Sequence, residues 1–160
     1  MSATSIVRQP GEGETRWFLG GGVHTWKLSA EETGGAFLLF EDRLARGKTT
    51  PLHSHPGEDE VVYVLEGEIM VRVGNENRRV PQGGAVVTLR GVPHAFVVTS
   101  DFARLLFLQT PGTGEAFYRN ASQPLADPDD LSGPVDFARL RATAQETGST
   151  AILGPSPFGR

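Results

Sequence analysis

The sequence predicts an all-β fold, with antiparallel strands forming a barrel or sandwich, and three observations carry that prediction. Glycine fills 20 of 160 positions, well above the roughly 7% of average proteins, with no collagen-like or low-complexity period to explain it, so the excess belongs to tight turns. Short apolar or alternating blocks rich in β-branched and aromatic residues recur at 36–40, 61–65, 69–73, 85–89, 95–98 and 105–108. No long helical pattern separates them, which excludes a βαβ arrangement.

The punctuation between the blocks agrees. Gly34-Gly35, Pro56-Gly57, Glu66-Gly67, Gly74-Asn75, 81–84 and Pro111-Gly112 each supply the φ freedom or φ restriction that turns require. A chain of 160 residues is long enough for one core and too short for two, and the strand procession makes 15–120 the β-barrel domain. Residues 1–14 read as an arm, disordered or exchanged with a neighbouring chain. The rest, 121–160, reads as an irregular connector followed by a C-terminal helix and tail. Pro124, Pro128 and Pro134 interleaved with Asp127, Asp129 and Asp130 suit the connector. Phe137, Leu140 and Ala144 then recur at helical spacing, with Gly148 placed to end the helix, which predicts a helix over 136–147. It is expected on the outside of the barrel, or as a lid over its mouth.

Composition narrows the function. With 38% hydrophobic and 21% charged residues the chain has material for a real core and is not disordered. The net charge of −4 without a Lys/Arg cluster argues against nucleic acid or an anionic membrane as partner. Residues 1–14 lack the apolar region of a secretory signal, and no stretch approaches the ~18 apolar residues of a membrane span, so a cytoplasmic location is expected. The chain has no cysteine, which removes disulfides, thiolate ligands and a cysteine nucleophile and leaves His, Asp and Glu for any metal chemistry.

Those residue types converge. His53 and His55 are separated by one residue, so on an extended strand their imidazoles share a face. Glu60 lies five residues beyond His55, an odd step that would reverse its face on an unbroken strand. Pro56-Gly57 interrupts the strand and resets that parity, letting Glu60 begin the next strand facing the same interior. His94 heads the block His94, Phe96, Val98, and a strand brought alongside would aim it at the same point. Three imidazoles and a carboxylate, with positions left for water or substrate, suit a divalent transition metal. A lone histidine on a strand is more often structural, and Glu58, Asp59 and Glu60 alone would read as a solvated acidic edge. The spacing of the whole set decides the matter.

That spacing resembles the cupin family. Gly47, five residues, His53, one residue, His55, four residues, Glu60, six residues and Gly67 fit the first cupin motif at every defined position. The second motif follows as Gly83, five residues, Leu89-Arg90-Gly91, two residues and His94. It departs from the family with Leu89 where proline is usual and Val98 where asparagine is usual; neither position is a metal ligand. The resemblance implies a single cupin domain, a jelly-roll β-barrel or double-stranded β-helix, with a metal ion held near its centre by His53, His55, Glu60 and His94. Glu58 is the competing carboxylate under a different turn geometry, and the motif spacing favours Glu60.

Other candidates are weaker. Gly47-Lys48-Thr49 has the form of a P-loop ending, but Asp42 stands where the earlier glycine is needed, and the segment reads as a turn into a strand. Gly20-Gly21-Gly22 lacks dinucleotide-binding spacing and reads as a loop near the barrel mouth. His24 fits no motif and is expected on the surface or in a strand. Asn120-Ala121-Ser122 has the form of a glycosylation acceptor, without a secretory signal to give it meaning.

An interior lined by Phe37 or Phe40, Tyr63, Phe96 and Phe107 above one metal ion would accept a small aromatic or enol-bearing molecule. The segments 17–21, 33–37 and 90–96 are similar to small single-domain cupins described as quercetin dioxygenase-like. That likeness implies an oxygenase using one divalent ion among Fe, Ni, Mn, Co, Cu and Zn, with Glu60 as the general base. The alternatives are a non-redox isomerase, cyclase or lyase, and a non-catalytic small-molecule-binding cupin. A homodimer formed by exchange of edge strands is expected from the resemblance.

Overall fold

The computed structural model describes residues 4–159; residues 1–3 of the expected arm lie outside them. The strands in chain order are β1 (Glu14–Phe18), β2 (Val23–Leu28), β3 (Leu38–Ala45), β4 (Leu52–Ser54), β5 (Asp59–Glu66) and β6 (Glu68–Val73). They continue with β7 (Glu76–Pro81), β8 (Ala85–Thr88), β9 (His94–Val98), β10 (Phe102–Thr110), β11 (Ser122–Gln123) and β12 (Ala151–Gly154). Two helices, α1 (Glu115–Asn120) and α2 (Phe137–Thr147), flank β11 and precede β12. The strands form a seven-stranded sheet, β11-β1-β2-β3-β10-β5-β8, and a five-stranded sheet, β12-β4-β9-β6-β7, with every pairing antiparallel. This is the jelly roll that the sequence predicts, built as two facing sheets rather than one continuously hydrogen-bonded cylinder.

Alternation sets the core. Along β3 the buried positions are Leu38, Phe40, Asp42 and Leu44, and along β10 they are Ala103, Leu105, Phe107 and Gln109. Period-two geometry points all of them to one face. Phe40 and Phe107 are register partners, stacked at 4.9 Å and 10°. Tyr63, expected inside, is exposed: it stands three residues from Glu60, and that odd step turns it to the outer face. Phe37 stops short of β3 and does not reach the interior lining.

The C-terminal region is more strongly tied to the domain than a connector and tail. Trp17 donates its indole N–H to the Pro134 carbonyl at 2.7 Å, while Leu125 and Leu131 cover the cluster of Trp17, Leu19 and Val23. β11 extends the large sheet next to β1, and β12 extends the small one next to β4. Asp136 lies just outside α2 and caps it, accepting a hydrogen bond from the Arg139 N–H at 2.9 Å. Gly148, at φ +71°, closes the other end. Among the described residues no helix is long and apolar enough to cross a membrane.

Gly67, the last glycine of the first motif, makes the turn between β5 and β6 at φ +83°, and a Cβ there would stand 2.2 Å from the Phe102 carbonyl oxygen. Both the left-handed backbone and the contact oppose a side chain. Gly67→Ala is therefore expected to lower stability by about 2–4 kcal/mol, read as a drop in the urea midpoint at unchanged slope.

Candidate metal centre

The two sheets contribute different ligands. β4 and β9 of the small sheet place His53 directly opposite His94 as register partners, and His55 follows just beyond the end of β4. β5 of the large sheet begins with Asp59 and aims Glu60 inward, the bend at Pro56-Gly57 having reset the alternation. The loops that carry these residues are tied to one another. Gly91 donates its backbone N–H to the His55 carbonyl at 2.9 Å, and Arg90 bonds Asp59 through its backbone N–H at 2.8 Å and its guanidinium at 3.1 Å.

One nitrogen from each of His53, His55 and His94 lies within 4.8 Å of the others. Glu60 Oε2 is 3.2 Å from His55 Nε2, and Oε1 is 3.4 Å from His94 Nε2. The ring orientations fit metal binding. His53 Nδ1 donates to the Pro51 carbonyl at 2.8 Å and His94 Nδ1 to the Val92 carbonyl at 3.0 Å, so the Nε2 lone pairs of both are turned inward. His94 Nε2 is buried without a hydrogen-bond partner. An orphaned imidazole nitrogen beside a buried carboxylate is what a site built for a cation leaves when only protein atoms are considered. The four residues singled out by spacing are thus brought together. Glu58 is buried as well, but its Oε1 accepts from the Thr113 hydroxyl while Glu60 touches two imidazoles.

Electrostatics act differently on the members of the cluster. Burial, with the neighbouring His94 and His55, pulls the His53 pKa down to about 3 and keeps that ring neutral. Burial acts against protonation of His55 too, but the Glu60 carboxylate outweighs it and raises its pKa. Burial alone would push Glu60 up; His55 and His94 overcome it and hold the carboxyl well below its usual range. Glu60 is therefore ionised at neutral pH.

Two supporting side chains escaped sequence reasoning. Gln109 donates from Nε2 to Glu60 Oε2 and to the Tyr118 hydroxyl, both at 2.8 Å. A polar residue in the apolar inward row of β10 was the available signal for Gln109. Tyr118 lies on α1, a helix of six residues with no detectable period. His24, expected on the surface or in a strand, is in β2 but fully buried: its ring is 4.2 Å from those of Trp26 and Phe40, and Nδ1 is 2.8 Å from Asp42 Oδ1.

His53, His55 and Glu60 line an inner cavity of about 60 Å³. Phe40, Phe96 and Phe107 line it as expected, and Phe18, Phe117 and Tyr118 join them. Leu140 of α2 also lines it, so the C-terminal helix faces the cavity. A wider outer groove of about 810 Å³ adjoins it, and Gly20, Lys48, Pro51 and Ile152 line both, forming the neck between them.

Comparison with known proteins agrees with the fold. The cupin-domain family model matches residues 40–109, a span that contains all four residues of the cluster. Quercetin 2,3-dioxygenase of Bacillus subtilis (strain 168) is 23% identical over 122 residues, 76% of this chain and 36% of that enzyme. Tetracenomycin polyketide synthase protein TcmJ of Streptomyces glaucescens is 33% identical over 75 residues, 46% of this chain and 50% of that protein. This chain thus spans between a third and a half of the length of these two relatives. Among solved structures, the polyketide cyclase RemF from Streptomyces resistomycificus superposes with a TM-score of 0.57 at 23% identity, covering 67% of this chain and 80% of that one. The chain is a member of the cupin superfamily.

If the cluster binds a divalent ion, adding Mn²⁺, Ni²⁺ or Zn²⁺ at a hundred times its dissociation constant should stabilise the fold by about 2.7 kcal/mol. In a thermal melt that is a Tm rise of roughly 5–10 °C. His53→Ala and His94→Ala should abolish the rise, and Glu60→Gln should keep part of it.

Proposed function

We propose that the chain is a metal-dependent oxygenase acting on a small aromatic or enol-bearing compound. The observation that carries the reading is Glu60: an ionised, buried carboxylate beside two imidazoles, fixed by Gln109, at the wall of an aromatic-lined cavity. A bound divalent ion would acidify an enolic or phenolic hydroxyl and, where redox-active, supply a route for electrons to dioxygen.

The chain's own side chains account for the other requirements. Glu60 accepts the hydroxyl proton; Gln109 bonds its Oε2, leaving Oε1, which lies against His94, as the accepting atom. Burial raises the Tyr118 pKa well above the ordinary phenol value, with Glu60 and Asp42 adding to the effect, so its hydroxyl keeps its proton and remains a hydrogen-bond donor. Phe40, Phe96 and Phe107 exclude water and offer faces on which a planar ring end packs. The likeness to quercetin 2,3-dioxygenase, which extends over three quarters of this chain, supports the choice of dioxygen as co-substrate.

A second reading uses the same proton removal without oxygen. The 33% identity to TcmJ, a tetracenomycin polyketide synthase protein, favours a polyketide-like enol as substrate, and ring closure is the reaction without oxygen that removal of its proton would start. An oxygen electrode separates the two. Protein loaded in turn with Fe²⁺, Mn²⁺, Ni²⁺, Co²⁺, Cu²⁺ and Zn²⁺ is offered quercetin and simpler enols; the oxygenase consumes one dioxygen per substrate without added reductant. His53→Ala should show no uptake, and Glu60→Gln should lose about 10²- to 10⁴-fold in kcat. Substrate loss at constant dissolved oxygen would select the cyclase reading.

A further inference from the structure

The inward rows of β2, β3, β10 and β5 are apolar except at two polar pairs. One is Glu60 with Gln109, register partners that belong to the metal centre. The other is His24 with Asp42, register partners on β2 and β3 that no step above uses. His24 is enclosed by aromatic rings, stacked on Tyr118 at 5.3 Å and 17° and set 4.2 Å from Phe40. Asp42 beside it lines the inner cavity, and its Oδ1, although 2.8 Å from His24 Nδ1, lacks an aligned hydrogen bond.

Lys48 completes this group. It follows the turn after β3 and stands at the neck, lining both the inner cavity and the outer groove. Its stem runs past the glycine loop, where a Cβ on Gly21 would lie 3.5 Å from Lys48 Cγ. Its ammonium lies 5.0 Å from the centre of the Phe96 ring and reaches a single acceptor, the Thr49 carbonyl, at 3.4 Å. Among the described residues no carboxylate comes within 4 Å of it; burial lowers its pKa to about 8, and Asp42 opposes that shift only from a distance. A desolvated ammonium without a paired anion is costly unless a ligand supplies the anion.

We infer that Lys48, backed by the Asp42–His24 pair, selects the ligand: it binds an acidic oxygen, phenolate, enolate or carboxylate, on a compound whose apolar body lies in the outer groove. The cavity dimensions favour this arrangement: the outer groove is far larger than the 60 Å³ chamber, and Lys48 lines both, so a ligand that spans the two lies against its ammonium. The inference deepens the reading above and rests on it for the direction in which the ligand enters. It concerns binding, however, and is tested without metal.

Chelator-treated wild-type protein is titrated with 1-hydroxy-2-naphthoate, followed by the probe's own fluorescence, and with 2-methoxynaphthalene, which has the rings and no acidic oxygen. Lys48→Met and Lys48→Gln are titrated alongside, after thermal melts confirm that they fold; one folded variant suffices. Loss of a charge-assisted contact should weaken naphthoate binding about tenfold or more and leave 2-methoxynaphthalene unchanged. A change confined to the acidic probe excludes general damage to the pocket. Equal naphthoate affinity in wild type and variants, or no wild-type binding of naphthoate at millimolar concentration, would overturn the inference. Should the naphthoate preference persist in a protein that takes up no metal, the oxygenase reading fails and the assignment of Lys48 stands.

Discussion

The contact between Glu60 and the imidazoles of His55 and His94 joins the two sheets at their centre, and much of the interior is arranged around it. A carboxylate 4% exposed is expensive to ionise without opposite charge, and here the compensating groups come from the facing sheet. The site therefore depends on the sandwich being correctly assembled. Gln109 from β10 occupies one side of the carboxylate, and Arg90 with Asp59 ties the second-motif turn to the start of β5. Neutral His53 and ionised Glu60 together present lone pairs and negative charge to one point, the arrangement that a divalent cation stabilises.

The parts of this architecture that were legible in the sequence are those governed by short-range geometry. His53 and His55 share a face because strands alternate, and Glu60 joins them because Pro56-Gly57 interrupts the alternation. Asp136, the helical spacing through Ala144 and Gly148 marked α2 to within one residue. What escaped was decided by long-range pairing. β7 has four exposed polar residues in a row and is a strand only because β6 lies beside it. β11 and β12 have two and four residues and exist as edges of sheets formed by distant segments. His24 and Lys48 belong to the same class: neither has a local pattern, and each acquires its environment from aromatic residues on other strands and on α1.

Cavity shape connects the site with the chemistry proposed for it. The aromatic rings that make the core cohesive also line a chamber much smaller than the outer groove, and the shared neck lets a reacting group reach the histidines from that groove. Tyr118 illustrates the economy of the arrangement. Its ring stacks on His24, and its hydroxyl accepts from the same Gln109 amide that steadies Glu60. The neck and the histidine cluster thereby share one interior. The glycine loop between β1 and β2, the β12 edge and α2 surround the entrance, which explains why the C-terminal region packs so closely against the domain.

The central claim is that His53, His55 and His94 converge with Glu60 on one divalent ion. X-ray absorption of wild-type protein loaded with Ni²⁺ or Mn²⁺ and dialysed free of excess, beside His94→Ala treated identically, tests it most directly. The account predicts a single ion per chain surrounded by three imidazoles and at least one carboxylate oxygen, with the imidazole signal lost or reduced in the variant. A wild-type protein that retains no ion, or one whose ion shows the same surroundings in His94→Ala, would contradict it.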